Sequence, residues 1–206
     1  MHIIEPSQWL QYLYPSLTWH KSRKQKEVYL TFDDGPVPIA TPFVLQTLAQ
    51  FNVEATFFCV GDNIAKHPGI YHQIKNAGHS IGNHTYNHVN GWTADDDTYL
   101  ENIDQCATLV SSNLFRPPYG KIKRSQLKKL KISHPQLEVI MWDVLSYDHN
   151  PKMSVERCFN HLIKNVKNGS IIVFHDSAKA FDRLQYLLPM VLRHLLDEGY
   201  ALKSLR

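Results

Sequence analysis

Residues 27–36 read EVYLTFDDGP. The first six are a β-rich run of strand length, and Asp33-Asp34-Gly35-Pro36 is a turn that stops it. Thr41-Pro42 then opens a helix, with Thr41 expected as N-cap and Pro42 at the first helical position. Phe43, Val44, Leu45 and Leu48 give that helix an apolar face.

The same strand–turn–helix order repeats outward along the chain. Residues 55–60 (ATFFCV) are a continuous apolar run, followed by a helical segment that closes at Ala77-Gly78. Residues 79–82 form a short strand, and 95–112 a helix with Asp95, Asp96 and Asp97 at its positive end. An extended piece at 114–115, a helix near 125–130, a strand at 137–142 and a helix at 155–166 come next. Asn168-Gly169 marks a turn before the buried strand 170–174. The last helix, near 184–198, ends at Gly199, and 200–205 is a closing strand.

About seven β–α repeats predict a parallel sheet covered by helices. With 206 residues, one α/β domain fits. The sheet is either open and doubly wound or a (β/α) barrel. A barrel here would be compact and incomplete, because closed ones usually take ~250 residues.

Composition narrows the classes. Apolar residues are 43% and charged residues 20%, ordinary for a globular chain. A net charge of +3 is no footprint for nucleic acid. Cys59, Cys106 and Cys158 form no C-x-x-C and sit in apolar surroundings, so they read as buried hydrophobes. No apolar run approaches the ~20 residues of a membrane span. The start, MHIIEPSQWLQYLYPSLTW, has no basic region followed by a clean apolar stretch. The default expectation is therefore cytoplasmic, or extracellular or periplasmic if a leader precedes the chain. No obligate protein partner is evident.

Chemistry collects just past the strand ends. Asp33-Asp34 follow the first strand, and His84 and His88 the third. Arg116 and Tyr119 follow Phe115; Asp143 and Asp148 follow Trp142; His175-Asp176 follow Phe174. In barrels and open α/β sheets that edge is where sites are built. His84-Thr-Tyr-Asn-His88 puts two imidazoles within reach of one metal. One of the adjacent acids can complete a His₂Asp site with open positions while its neighbour points elsewhere and acts as a base. Arg116, stiffened by the prolines of RPPYG, can orient a carboxylate.

Together these residues resemble the polysaccharide deacetylases of the NodB-homology type, carbohydrate esterase family 4. The resemblance spans residues 28–205 and follows five motifs: TFDDGP at 31–36, H-[ST]-x-x-H at 84–88, R-x-P-Y at 116–119, a D-x-x-D-W-like stretch at 145–149 and L-x-H at 173–175. It implies a distorted, incomplete (β/α) barrel. Residues 27–206 would be that single domain, with 1–26 an N-terminal extension packed on it.

The resemblance implies Asp33 as general base, with Asp34, His84 and His88 holding one divalent ion, usually zinc, with cobalt or another ion as alternatives. Arg116 would orient Asp33, and the Tyr119 backbone amide would help hold an oxyanion. His175 would be the acid, supported by Asp148. Trp142 and His149 are expected to touch substrate. Leu145 replaces the first acid of the fourth motif, Val173 a leucine, and His149 the usual groove aromatic. The implied reaction removes N-acetyl or O-acetyl groups from an acetylated sugar or polysaccharide such as chitooligosaccharide or peptidoglycan. The competing readings are an amide hydrolase on a small molecule, a carbohydrate-binding relative without catalysis, and a glycosidase pairing Asp33 with Asp143 or Asp148.

Overall fold

The computed structural model describes residues 8–206, with side chains from Gln11 onward. Its centre is the strand anticipated at 27–32. β1 (Glu27–Asp33) is flanked by β2 (Thr56–Cys59) on one side and β7 (Ser170–His175) on the other, both parallel to it. β2 is buried along its whole length and β7 up to His175, as expected for strands covered on both faces.

Beyond β2 lie β3 (Ser80–Asn83), β4 (Leu114–Phe115) and β5 (Glu138–Val139); beyond β7 lies β6 (Val144–Leu145). The order is β5-β4-β3-β2-β1-β7-β6, a parallel half-barrel of seven strands. β8 (Ala201–Lys203) takes the lower part of β1, pairing Glu27–Tyr29. The edges β5 and β6 do not pair with each other. The segment 18–21 instead joins β5 to the start of β7: Thr18 N–H donates to Val139 O (2.9 Å), and Lys21 N–H to Gly169 O (2.9 Å). Trp19 is buried behind these bonds.

Register assembles the core. Phe32 lies opposite Phe57 on β2 and Phe174 on β7, and the three rings stack at 5.1 and 5.6 Å between centroids. Such rings bury large apolar areas and gain about 0.5–1.5 kcal/mol per pair beyond burial. Cys59, Cys106 and Cys158 are free and buried, as anticipated.

Helices cover the sheet: α2 (Ala40–Gln50), α3 (Gly61–Lys66), α4 (Pro68–Asn76), α5 (Asp96–Ala107), α6 (Arg124–Ser133), α7 (Val155–Asn165) and α8 (Ala178–Asp197). A short α1 (Gln8–Leu13) lies where no element was expected; residues 1–7 of the expected N-terminal extension lie outside the described residues.

Several boundaries differ from expectation for local reasons. Thr41 is not the N-cap of α2, whose cap position is Ile39. The Thr41 hydroxyl instead accepts from Val37 N–H and donates to Asp176. Pro68 starts a new helix and splits the expected single segment into α3 and α4. α8 begins at Ala178, well before residue 184, and continues through Pro189. In the apolar run 137–142 the strand proper ends at Val139: Ile140 makes only a single bridge, to Thr18, and the carbonyls of Ile140 and Met141 accept from Arg116. Among the described residues no helix is long and apolar enough to cross a membrane.

Candidate active site

One residue beyond the phenylalanine row the chemistry begins. Asp33 stands opposite His175 in the β1–β7 register. Because side chains alternate along a strand, Asp33 shares a face with Thr31 rather than with Phe32. Arg116 Nη1 donates to both Thr31 Oγ1 (2.7 Å) and Asp33 Oδ1 (2.7 Å). Its remaining nitrogens reach Ile140 O (3.3 Å) and Met141 O (3.1 Å), and its guanidinium lies 4.1 Å from the Phe58 ring centroid. Arg116 is fully buried and Asp33 is 4% exposed. This is no surface ion pair of small worth; removing one partner would strand a buried charge.

Asp34 turns the other way, held at φ 82°. Its Oδ1 lies 3.2 Å from His88 Nε2 and 3.9 Å from His84 Nε2. His84 Nδ1 faces Arg116 O at 2.7 Å. A carbonyl can only accept, so Nδ1 carries the hydrogen and Nε2 presents its lone pair to Asp34. Two facing lone pairs repel unless a cation lies between them. Burial pushes His84 down to about 4, against the pull of Asp33, so the ring is neutral near pH 7. Burial alone would raise Asp34; the hydrogen bond from His88 and the charges of His175, His88 and His84 hold it well below the usual carboxylate range. The His88 ring packs edge-on to Tyr119, whose hydroxyl is 3.1 Å from Nδ1. Asp34, His84 and His88 each offer one donor atom, all within 4.8 Å of one another. Two imidazoles and one carboxylate, with the tautomer of His84 fixed from behind, fit a borderline divalent ion such as zinc.

Across the cleft, Asp148 is fully buried in the loop after β6. Its carboxylate accepts from His175 N–H (2.7 Å) and from His175 Nδ1 (2.7 Å). Burial raises Asp148, but the charge of His175 and the hydrogen bonds from its ring and backbone win and bring it to about 2. Burial lowers His175, but the Asp148 carboxylate outweighs it and lifts His175 to about 9. His149 packs edge-on against His175, with ring centroids 4.4 Å apart, and its Nδ1 is 3.7 Å from Asp148 Oδ1.

A cleft of about 340 Å³ joins these walls. Asp33, Asp34, His84, His88, Tyr119, Trp142, His149 and His175 all line it. Asp143, named among the strand-end acids, does not. It lies at the start of β6, not past a strand end, and pairs with Arg23 at 2.6 Å while accepting from Ile171 N–H (2.9 Å). That removes one partner from the glycosidase reading.

Asp176 is the residue whose part the sequence left unread. It is fully buried and accepts from Gly35 N–H (3.1 Å) and the Thr41 hydroxyl (2.6 Å), clamping the turn that carries both acids. A Cβ on Gly35 would lie 2.0 Å from Asp176 Oδ2. Burial, aided by the Asp34 charge, raises Asp176 to about 8. The signal was the acid directly after His175, opposite a glycine.

Residues 20–133 match the family described as polysaccharide deacetylase. The chain belongs to that family. A peptidoglycan-N-acetylglucosamine deacetylase of Bacillus cereus is 34% identical over 190 residues, covering 89% of this chain and 88% of the relative. A chitooligosaccharide deacetylase of Azorhizobium caulinodans is 29% identical over 206 residues, covering 89% and 95%. The crystal structure of the Bc1960 peptidoglycan N-acetylglucosamine deacetylase, solved with a hydroxamate-type benzamide, superposes with a TM-score of 0.87 at 31% identity. It covers 95% of this chain and 94% of that one. This polysaccharide deacetylase is thus a hydrolase of amide bonds, built on the curled half-barrel of its family.

Proposed function

We propose that this polysaccharide deacetylase removes N-acetyl or O-acetyl groups from an acetylated glycan of the peptidoglycan or chitooligosaccharide kind, using one divalent ion. The observation that carries the reading is the opposition of two built walls across one small cleft. On one side His84 and His88 turn Nε2 toward Asp34; on the other His175 is tied to a buried Asp148.

Asp34, His84 and His88 would hold the ion, which when bound makes water a better nucleophile and polarises the acetyl carbonyl. Asp33, which lines the cleft, takes the proton from the attacking water while Arg116 holds its Oδ1. Tyr119, which lines the cleft, would offer its backbone N–H to the developing oxyanion. His175 gives its proton to the leaving nitrogen. Its Nδ1–H is committed to Asp148, so the transferable proton is on Nε2. Water adds to the carbonyl carbon, the C–N bond breaks, and the products are acetate and a free amine. Trp142 and His149 form the substrate wall.

Acetate release from chitopentaose, peptidoglycan fragments, acetylated xylan and monomeric N-acetylglucosamine, each with and without chelator, tests this. Chelator-sensitive release from a glycan is expected. Release unaffected by chelator with full metal removal would contradict the assignment.

A further inference from the structure

Beside the cleft stand two exposed aromatics that the reaction does not use as rings. Trp92 is 56% exposed and Tyr119 57%. Between them lies Lys121, its Nζ 5.2 Å from the Trp92 ring centroid and 5.9 Å from that of Tyr119. Tyr119 and Lys121 line the cleft, and Tyr119 touches His88, so this group is continuous with the reacting centre.

The group rests on a rigid support. Trp92 N–H donates to Asn90 Oδ1 (3.0 Å), and Thr93 and Ala94 N–H both donate to Asn90 O (3.1 Å each). The preceding Gly91 is packed so closely on the next loop that a Cβ would lie 2.4 Å from Lys121 O. Gln126, fully buried, donates to Gly91 O (2.8 Å) and accepts from Lys123 N–H (2.9 Å). Lys123 Nζ in turn reaches Ala94 O (2.6 Å). Two loops from different strand ends are thus stapled together, which fixes Trp92 relative to Lys121. Exposed apolar surface on a rigid support marks an interaction site. An ammonium held between two ring faces is pre-positioned and keeps donors free for an anion.

We propose that Trp92, Lys121 and Tyr119 form an accessory subsite for the sugar flanking the one that reacts, and that Lys121 selects chains in which that sugar bears a carboxylate. The ring faces take the apolar face of the pyranose, and the ammonium meets the acid. Lys179, the other lysine lining the cleft, adds positive potential from the start of α8. This rests on the glycan deacetylase reading above and names the feature of the glycan that is read.

The test is calorimetric binding to an Asp33→Asn background, so that no turnover is needed. The probes are chitopentaose, which is neutral, and a peptide-free glycan of equal length whose alternate sugars carry lactyl carboxylates. The acidic chain is expected to bind more tightly. Lys121→Gln should cut that preference about three- to ten-fold, while Lys121→Arg retains most of it. About 1 M salt, where the screening length is about 3 Å, should shrink it. Trp92→Ala should weaken both chains by similar factors. Equal binding of the two probes, or a preference that survives Lys121→Gln, overturns the proposal. Acetate release by the unsubstituted enzyme is read separately, and failure there with the binding preference intact counts against the deacetylase reading alone.

Discussion

At the N-terminal end of the strands, the described residues with positive φ are Gly78, Gly169, Gly199 and Asn52; at the C-terminal end they are Asp34, Ile39, Thr85, His88, Tyr119, Tyr147 and Gly120. Glycine enters this region without steric penalty, and Asn tolerates it better than most residues. A side chain there costs about 1–3 kcal/mol and persists only where its surroundings over-determine it. Thr85 illustrates the means: its N–H donates to Asn83 Oδ1 (2.8 Å), its hydroxyl accepts from Val89 N–H (3.0 Å) and its carbonyl from Gly61 N–H (3.0 Å). The lower end is a set of ordinary turns. The upper end holds side chains where relaxed backbone would not put them.

Cavity size tells the opposite story and misleads. The larger space, about 980 Å³, lies at the lower end among Glu27, Glu54, His79 and Arg206. Both three-donor groups found among the described residues lie at the upper end, in or beside the 340 Å³ cleft. Converging donors, rather than volume, locate the chemistry.

The largest expected effect belongs to the upper end. Asp33→Asn should lower acetate release by about 10²–10⁴-fold with the fold intact. A loss of less than ten-fold would move the base elsewhere. Asp148→Asn comes next. The acid must hold its proton to work, and Asp148 is what lifts His175 to about 9. Without it, the alkaline limb of the pH–rate profile should move down toward the ordinary histidine value of about 6.5. A limb that stays near 9 would mean another group sets it.

Two glycines sharpen the comparison between the ends. Gly35→Ala drives a methyl into the Asp176 carboxylate, so activity should fall more than ten-fold, with a lower melting temperature. Gly78→Ala meets nothing closer than Glu54 Oε1 at 3.8 Å. It should cost about 1 kcal/mol of stability through its φ alone and leave turnover unchanged. Equal effects on activity would erase the distinction between the ends. The smallest effect is at Ile39, β-branched, 70% exposed and at φ 70°. Ile39→Gly should stabilise by at most about 1 kcal/mol in urea unfolding. Destabilisation would show that this backbone is not strained.

Much of the upper end was legible in the sequence, because strand ends and acid–glycine turns are local signals. Asp33, Asp34, His84, His88, Arg116 and His175 all stand on the edge where the strand ends put them. Asp143 was misplaced because an apolar run, 137–142, looks like one strand whether or not it pairs. The carbonyls of its outer half accept hydrogen bonds from Arg116, a residue on a different strand end. Asp176, Gln126 and Trp92 escaped for the same reason: their parts are set by contacts between loops far apart in the chain. His149 was expected as a stand-in for a groove aromatic. Its ring does line the cleft, but against His175.

The central claim is that two adjacent acids divide the work, Asp34 holding an ion and Asp33 moving a proton. Metal content after equilibration with zinc and gel filtration, taken side by side on Asp33→Asn and Asp34→Asn, tests it most directly. The account predicts close to one ion per chain in Asp33→Asn and a large loss in Asp34→Asn. Retention in Asp34→Asn with loss in Asp33→Asn would contradict it.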